Sequence, residues 1–324
     1  RGSAWMQGRV GPNRAGPFGF FQPAADGIKF LCKEAFIPDH ANKFLYVAAP
    51  AVAMLAPFLA MALIPFGSHL VIMGHQVPLQ IASFDSGVIL LLAFTGLEVY
   101  PVIVGGWSAN NKYSLLGAIR GACQLVSYGT AMGLALLSAL VIYGTFDLNE
   151  IVQYQQDKVW GCFINPIGAL IFLICIFAET NRLPFDLPEG DSEIVGGYHL
   201  EYGAMKFSLF FMAEYVAMIM AGGLISTLFF GGYALLPGFA FLAQSIASAF
   251  SFDADNLQNV IAVLQFAGFF LKVFFFMCFY IWIRWTLPRF RFDQVINLGW
   301  KILLPLSLVN VALMGLVSYW INRG

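Results

Sequence analysis

Seven long apolar stretches constrain the fold of this chain more than any other feature. They lie at residues 44–66, 87–107, 115–143, 159–178, 207–230, 260–283 and 302–321. A helix needs about 20 residues to cross the hydrocarbon layer of a bilayer. The stretches are continuous rather than alternating, which favours helices over a barrel. The sequence therefore predicts an all-α protein, a polytopic transmembrane helix bundle with seven membrane helices.

The distribution of cations supports this count and predicts an orientation. If the chain crosses the membrane seven times, fourteen of its seventeen Lys and Arg residues fall on one side. Cytoplasmic loops carry an excess of Lys and Arg. We therefore expect the N-terminal segment in the cytoplasm and the C-terminus outside. The three exceptions are Lys158 and Arg323 on the outer side and Lys272 within a span.

The same pattern divides a single membrane domain, 1–324, into segments. Residues 1–43 form a cytoplasmic-face segment, in which 18–36 have the spacing of an interfacial amphipathic helix. Membrane helices occupy 44–178, and 179–206 form an acidic cytoplasmic loop. The remaining membrane helices lie in 207–324, with an external loop at 231–259.

Composition excludes several classes of function. The chain is 59% hydrophobic and 11% charged, which a water-soluble protein does not tolerate. A formal net charge of −1 gives no reason to expect a nucleic-acid partner. The five cysteines and four histidines show no spacing typical of a metal or haem site, so we predict no metal and no iron–sulfur cluster in this chain.

The loop at 179–206 is unusual because it is acidic on the face where cations dominate. It could be a solvated acidic loop, but Pro and aromatic residues between the acids favour a fixed, partly buried structure. Closely spaced carboxylates raise one another's pKa, so such a cluster can hold shared protons. We interpret it as a proton-handling funnel. Its acids are Glu179, Asp186, Glu189, Asp191, Glu193 and Glu201, and between Glu179 and Glu201 the one cation is Arg182.

Three charged residues lie inside predicted spans: Glu98, Glu214 and Lys272. A charge at the bilayer centre costs about 2.5–3.5 kcal/mol on insertion scales, so such residues usually face the bundle interior and mark an ion or proton path. For the two glutamates we favour a functional role. For Lys272 a structural ion pair, for instance with Glu214, is equally acceptable.

The run RVGPNRAGP at residues 9–17 is the remaining local signal. Its Gly and Pro residues predict an ordered turn at the membrane surface. It could contact phosphate or lipid headgroups, dock a partner or only connect two elements. The residues themselves do not decide among these.

Six blocks of sequence, spread over nearly the whole chain, point to one family. They are WMQGRVGPNRAGP at 5–17, QPAADGIKFLCKE at 22–34, GGWSANNKYSLLGAIR at 105–120, AETNRLPFDLPEGDSE at 178–193, GYHLEYGAMKFSLFFMAEY at 197–215 and LPRFRFDQVINLGWKILLPL at 287–306. Together they resemble the membrane-embedded H subunit of bacterial respiratory complex I, the proton-pumping NADH–quinone oxidoreductase.

This resemblance implies a subunit that is not catalytic on its own. It would form the membrane side of a quinone chamber and link quinone reduction to proton translocation. Quinone would be the substrate, while NADH, FMN and the iron–sulfur clusters would reside in partner subunits. The expected partners are soluble quinone-site and iron–sulfur subunits on the cytoplasmic side, small membrane subunits, antiporter-like subunits and lipids. The expected location is the bacterial cytoplasmic (inner) membrane.

The resemblance also implies roles for individual residues. The expected residues of the chamber and its mouth are Trp5, Arg9, Arg14, Asp26 and Arg182. The expected proton path contains Glu179, Glu189, Asp191, Glu193, Glu201 and Glu214, to which Glu98 is added from its position inside a span.

The chain departs from the family pattern in three places. The family has an eighth membrane helix before Arg1, so we expect that helix to be missing here. Asp191 stands where the family usually has Glu. Ser127, Tyr128 and Gly129 stand where the family usually reads Ser-Tyr-Glu, which removes a mid-membrane carboxylate. We hypothesise that Glu98, on the preceding span, supplies the lost carboxylate.

Three alternatives stay open from sequence. The membrane subunit of an energy-converting hydrogenase would keep the acids without reducing quinone. An ion-coupled transporter would also explain buried acids, although we find neither an inverted repeat nor a pair of broken helices. A structural membrane anchor would explain the spans but not the acidic loop.

Overall fold

The computed structural model describes residues 2–190, 193–235 and 254–323, and most of them are helical. Backbone polar groups find no hydrogen-bond partner in lipid, so only helices or closed sheets are stable spanning elements. The helices are α1 (Gly2–Met6), α2 (Gln22–Cys32), α3 (Lys43–Ala62), α4 (Gly87–Gly96), α5 (Val99–Ser108), α6 (Lys112–Tyr143), α7 (Leu148–Asp157), α8 (Gly161–Ile164), α9 (Pro166–Glu179), α10 (Ala204–Phe229), α11 (Ala254–Thr286), α12 (Phe292–Asn297) and α13 (Leu304–Arg323).

Six helical segments in the described part of the chain are long and apolar enough to cross a membrane. They are α3, the pair α4–α5, α6, α10, α11, and the run from α12 to α13, which continues through a π-helix at Leu298–Leu303. The all-α polytopic fold predicted from sequence is confirmed. The external loop predicted at 231–259 ends earlier than expected, because α11 already begins at Ala254.

The fourth predicted span, 159–178, differs from expectation because it is interrupted. The short helix α8 ends before Asn165, and α9 then runs for 14 residues, about 21 Å at the usual helical rise. The break has a local cause: Pro166 has no N–H to donate and disfavours helical geometry at the residue before it. Asn165 adopts φ −128° and its side chain caps α9 by accepting from Gly168 N. A milder irregularity separates α4 from α5 at Leu97 and Glu98, where the backbone stays in the right-handed helical region.

Helices α6 and α10 form the centre of the bundle. In each, 61% of the most apolar segment is buried within the protein, against 22% for the run from Phe292 to Trp320. Small residues such as Gly117, Ala118 and Gly121 line the buried side of α6 and allow neighbouring segments to approach closely. The peripheral helices consequently expose more apolar surface, as lipid-facing helices do.

A two-stranded hairpin between α3 and α4 was not predicted from the sequence. Strands β1 (His69–Ile72) and β2 (His75–Pro78) pair antiparallel, and Met73 and Gly74 both adopt positive φ in the turn. Positive φ at both central residues is the geometry of a tight hairpin turn, for which Gly74 is suited. The side chain of Asn259 on α11 accepts from Val71 N at 2.7 Å and donates to Val71 O at 2.8 Å, which fixes the hairpin to the bundle.

The amphipathic helix expected at 18–36 is observed as α2. Its Phe30 side chain packs towards Phe207 of α10, with ring centroids 6.4 Å apart. Its Ile28 and Leu31 side chains are exposed, at 62% and 68%. The helix therefore turns one face to the bundle and leaves an apolar face outside it, as an interfacial helix does.

Lys272 of α11 is a structural cap and does not form the ion pair with Glu214 that was one alternative from sequence. It is only 8% exposed. Its ammonium group donates to the carbonyl oxygens of Phe230, Gly232 and Ala234 at 2.9, 2.7 and 3.0 Å. These carbonyls follow the C-terminus of α10, where a helix favours a positive charge.

Replacement of Lys272 by Met is expected to destabilise the protein. The substitution leaves three carbonyls without this donor, and each buried polar group left unsatisfied costs about 1–3 kcal/mol. Thermal unfolding in detergent should therefore occur at a clearly lower temperature than in the wild type. Lys158→Met is the matched control, because Lys158 is exposed; equal stability of the two variants would contradict the capping role.

Candidate functional site

A cavity between α5, α9 and α10 brings three glutamates together. Glu98, Glu179 and Glu214 all line it, together with Ala53, Pro101, Val102, Thr180, Asn181, Tyr198, Phe210, Ala213 and Ala217. The cavity offers about 40 Å³ to the centres of water molecules. One water needs roughly 10–15 Å³ of such space, so two or three ordered waters fit beside the carboxyl groups.

Each glutamate is brought to the cavity by a different element. Glu98 lies at the junction of α4 and α5, about halfway along that span. Glu179 is the last residue of α9, and Glu214 lies in the cytoplasmic half of α10 by the predicted orientation. The acids that sequence analysis placed in three separate segments therefore share one interior space.

Two carboxyl oxygens at this cavity are buried without a protein partner. Glu98 Oε1 and Glu179 Oε2 accept no hydrogen bond from any residue that the structure describes. Buried polar atoms are normally hydrogen-bonded to protein or to ordered water. These atoms are consequently the ones that water in the cavity can satisfy, and Glu98 directs its carboxyl group to the interior rather than to lipid.

Arg182 pairs with Glu214 at the edge of the cavity. Its Nη2 atom lies 3.0 Å from Glu214 Oε2, and both side chains are below one-tenth exposed. The guanidinium group also lies 4.7 Å from the ring centroid of Tyr215. Arg182 was expected at the quinone chamber, whereas the structure places its charged group against a member of the expected proton path.

Glu189 extends the cluster from the acidic loop. Burial raises its pKa, and the neighbouring Glu214 and Asp186 carboxyl groups raise it further, while Arg182 lowers it. Glu189 and Glu214 share a side-chain hydrogen bond. A carboxyl group in this environment is neutral at pH 7, so Glu189 donates to its charged neighbour.

Two further arginines neutralise the acidic loop, and sequence analysis missed both. Arg289, which follows α11, donates to Asp186 Oδ2 at 2.6 Å. Arg120 of α6 pairs with Glu193 and lies 5.3 Å from the ring centroid of Phe292. The stretch from Glu179 to Glu201 has one cation for six acids. Arg289 and Arg120 supply two more, so this stretch is less negative than its sequence indicated.

The remaining predicted path residues are placed differently. Glu201 does not line the cavity; its Oε1 atom accepts from Asn111 Nδ2 at 2.7 Å, and its carbonyl accepts from the Tyr46 hydroxyl at 2.6 Å. Asp191 lies outside the described residues. At Gly129, a Cβ atom would lie 4.0 Å from Glu179 Oε2. Position 129, where the resemblance implies a glutamate, is therefore next to Glu179, which also lines the cavity with Glu98.

The expected chamber residues of the N-terminal segment lie apart from the carboxylate cavity. Trp5 on α1 is 74% exposed, and Arg14 is also exposed. Arg9 donates to the Gln7 side chain, and Asp26 of α2 pairs with Lys29 at 2.9 Å. The Lys29 and Gln22 hydrogen bonds lower the pKa of Asp26. No group of three His, Cys, Asp or Glu side chains in the described ranges has metal-binding geometry.

The fold and this cavity define a class, the polytopic α-helical membrane proteins with a buried carboxylate cluster. The family model described as NADH dehydrogenase matches residues 1–315. An H-type subunit of the NADH-quinone oxidoreductase of Cytophaga hutchinsonii is 45% identical over 313 residues, which cover 97% of this chain and 88% of that relative. NADH-quinone oxidoreductase subunit 8 of Rhodothermus marinus is 47% identical over 318 residues, covering 97% and 89%.

This chain therefore belongs to the H-subunit family of the NADH–quinone oxidoreductases. The resemblance noted from the sequence blocks is confirmed. The chain is a multi-pass membrane subunit of a complex with oxidoreductase activity, and other subunits of that complex are its partners. The H-type relative from Salinibacter ruber, 47% identical over 98% of this chain and 88% of the relative, leads to the same conclusion.

Proposed function

We propose that this chain forms the membrane-side part of the quinone-binding chamber and couples quinone reduction to proton movement through its buried carboxylates. The observation that carries the proposal is the cavity at which Glu98, Glu179 and Glu214 meet, with Glu189 hydrogen-bonded behind them. Membrane-embedded acids that face a shared cavity are typical of proton paths. By this proposal the chain catalyses nothing in isolation, because the redox groups belong to partner subunits.

The coupling follows from electrostatics. A quinone that accepts two electrons in a low-dielectric site must take up protons or be neutralised by nearby cations. Each proton taken from the acidic loop changes the charge that its neighbours experience. Arg120 and Arg289 are fixed against Glu193 and Asp186. The change is therefore passed from Glu189 to Glu214, with which it shares a hydrogen bond, and through the cavity to Glu98 and Glu179.

Trp5, Arg9, Arg14 and Asp26 belong, in this proposal, to the mouth of the chamber beside α2. Arg182 acts instead within the carboxylate cluster. The N-terminal segment lies on the cytoplasmic side of the bacterial inner membrane. There, soluble iron–sulfur subunits cover the chamber and supply electrons, which come from NADH through FMN. Small membrane subunits and antiporter-like subunits receive the protons or charge. The relatives' names favour this assignment over a hydrogenase subunit or a transporter.

Replacement of Glu214 by Gln in the assembled complex tests this function. The amide keeps the size of the side chain but cannot carry a proton, and loss of a proton-transfer group typically costs about 10²–10⁴ in rate. We expect at least about a tenfold loss of quinone-dependent turnover and proton pumping. Oxidation of NADH by a soluble artificial acceptor should be unchanged.

Glu34→Gln is the control for this experiment, because Glu34 is exposed beside α2 and outside the cavity. If E214Q and E34Q both pump protons as the wild type does, the carboxylate cluster does not couple quinone reduction to proton movement.

A further inference from the structure

His199 is a buried titratable side chain to which the proposed function gives no role. It ends the 3₁₀ turn Gly197–His199 in the acidic loop, shortly before α10 begins. Only 9% of the residue is exposed. Burial of an ionisable ring costs free energy unless polar neighbours compensate for it, so its surroundings indicate what it can do.

One face of the imidazole meets the acid cluster. Its Nδ1 atom lies 3.7 Å from Glu189 Oε1. This is slightly longer than a hydrogen bond, and a small side-chain rotation or one bridging water closes the gap. Glu189 is in turn hydrogen-bonded to Glu214, which lines the cavity. His199, Glu189 and Glu214 thus form a row that ends at the cavity.

The ring also lies among aromatic side chains of α10. The centroids of Phe207 and Phe211 are 5.2 and 5.6 Å from that of His199, both edge-on. Phe207 also packs towards Phe30 of α2. The imidazole is therefore located between the acid row and the region beneath α2. Among the described residues, titratable groups that face it include Glu189 from the loop and Tyr198 beside it, whose ring is perpendicular at 5.0 Å.

We propose that His199 is a proton relay that carries protons from the α2 side of the protein to Glu189. This inference rests on the proposed function and deepens it, since it adds a member other than a carboxylate to the proton path and gives the path a starting point next to the proposed chamber mouth.

The proton balance of the relay is simple. Neutral Glu189 passes its proton to the Glu214 carboxylate with which it shares a hydrogen bond. The Glu189 carboxylate so formed takes the Nδ1 proton of the His199 imidazolium. Loss of this proton leaves the Nε2–H tautomer, whose free lone pair is on Nδ1. The ring then rotates so that Nδ1 faces the α2 side, takes a proton there from hydronium, which leaves as water, and rotates back. One positive charge has moved inwards, and no electron transfer is required.

The test compares His199→Gln with His40→Gln in the whole complex. His40 is exposed, so H40Q controls for the loss of a histidine on the same side of the membrane. For H199Q we expect kcat of NADH–quinone turnover to fall at least about tenfold at unchanged quinone KM. Between about pH 5 and 8, where histidine usually changes charge, the ratio of variant to wild-type turnover should vary with pH.

His199→Phe is the second variant, because it keeps an aromatic ring against Phe207 and Phe211 but cannot carry a proton. It should lose turnover as H199Q does. Wild-type turnover in either variant overturns the relay, as does a loss that is constant across the pH range. Failure of both variants to assemble also overturns it, because packing would then account for the residue.

Glu189→Gln distinguishes the relay from the function on which it rests. If E189Q loses pumping while H199Q retains it, the carboxylate path holds and only the relay fails. If neither variant, nor E214Q, changes pumping, the proposed function itself fails.

Discussion

Glu98→Gln is expected to lower both quinone-dependent turnover and proton pumping at least about tenfold, at equal assembly of the complex. The amide removes the proton-carrying group and keeps its volume. Glu98 Oε1 is buried without a protein partner in the described chain and lines the cavity with Glu179 and Glu214. These are the properties expected of a group that exchanges protons through cavity water.

A compensating substitution makes this prediction specific. Among the described residues, a Cβ at Gly129 meets only Glu179 Oε2, at 4.0 Å, an ordinary van der Waals contact. Gly129→Glu therefore introduces a carboxyl group beside Glu179 from the side of α6. If Glu98 serves in place of a glutamate at position 129, the double variant E98Q/G129E should regain most of the pumping lost in E98Q.

Glu150→Gln, at an exposed glutamate of α7, is the control. Unchanged pumping in E98Q at normal assembly would make Glu98 a structural residue. A loss in E98Q that G129E fails to restore would retain Glu98 in the path but reject its equivalence to a carboxylate on α6.

The spans could be predicted from the sequence because their signal is local. About 20 apolar residues in succession, with few charges, are sufficient to identify a membrane helix, and the acids within them mark functional positions. The helix break at Asn165 could also have been predicted from the local sequence, because Pro166 follows it directly. The hairpin at His69–Pro78 has a weaker signal, since Met73 at positive φ is uncommon.

Contacts between distant segments could not be predicted from the sequence. Arg289 lies 103 positions from Asp186, and Arg120 lies 73 from Glu193. No local sequence pattern predicts either ion pair. From the sequence, the negative charge of the acidic loop therefore lacked nearby cations to neutralise it. His199 was missed for the same reason, since its single position in the chain does not reveal that it faces Glu189. The role of Lys272 could not be decided from the sequence, because its hydrogen-bond partners are backbone carbonyls and every residue has one.

The arginine–carboxylate pairs also explain why the cluster can be both stable and titratable. Three of its acids, Asp186, Glu193 and Glu214, are fixed against arginines from three different segments. Buried ion pairs contribute little net stability but are costly to break. They therefore fix the geometry of the loop. In the proposed function, protons move through the hydrogen bond between Glu189 and Glu214 and through the cavity beside Glu98 and Glu179.

Arg182→Gln is accordingly expected to have the largest effect on stability. It leaves Glu214 buried beside the cavity without its cation, and removal of one partner of a buried pair costs about 3–5 kcal/mol. We expect a much lower yield of assembled complex and faster thermal inactivation in detergent. Arg182→Lys, which keeps a positive charge but not the planar guanidinium group that stacks near Tyr215, should be intermediate.

The double variant R182Q/E214Q separates charge from packing. If the loss in R182Q arises from an unpaired carboxylate, neutralising that carboxylate must restore part of the stability, although pumping stays low because Glu214 is absent. The double variant then loses less stability than R182Q alone. If instead the double variant is less stable than R182Q, the guanidinium group acts mainly through its packing on Tyr215. Arg182 would then be a structural residue of the acidic loop rather than the counter-charge that fixes Glu214 in the proton path.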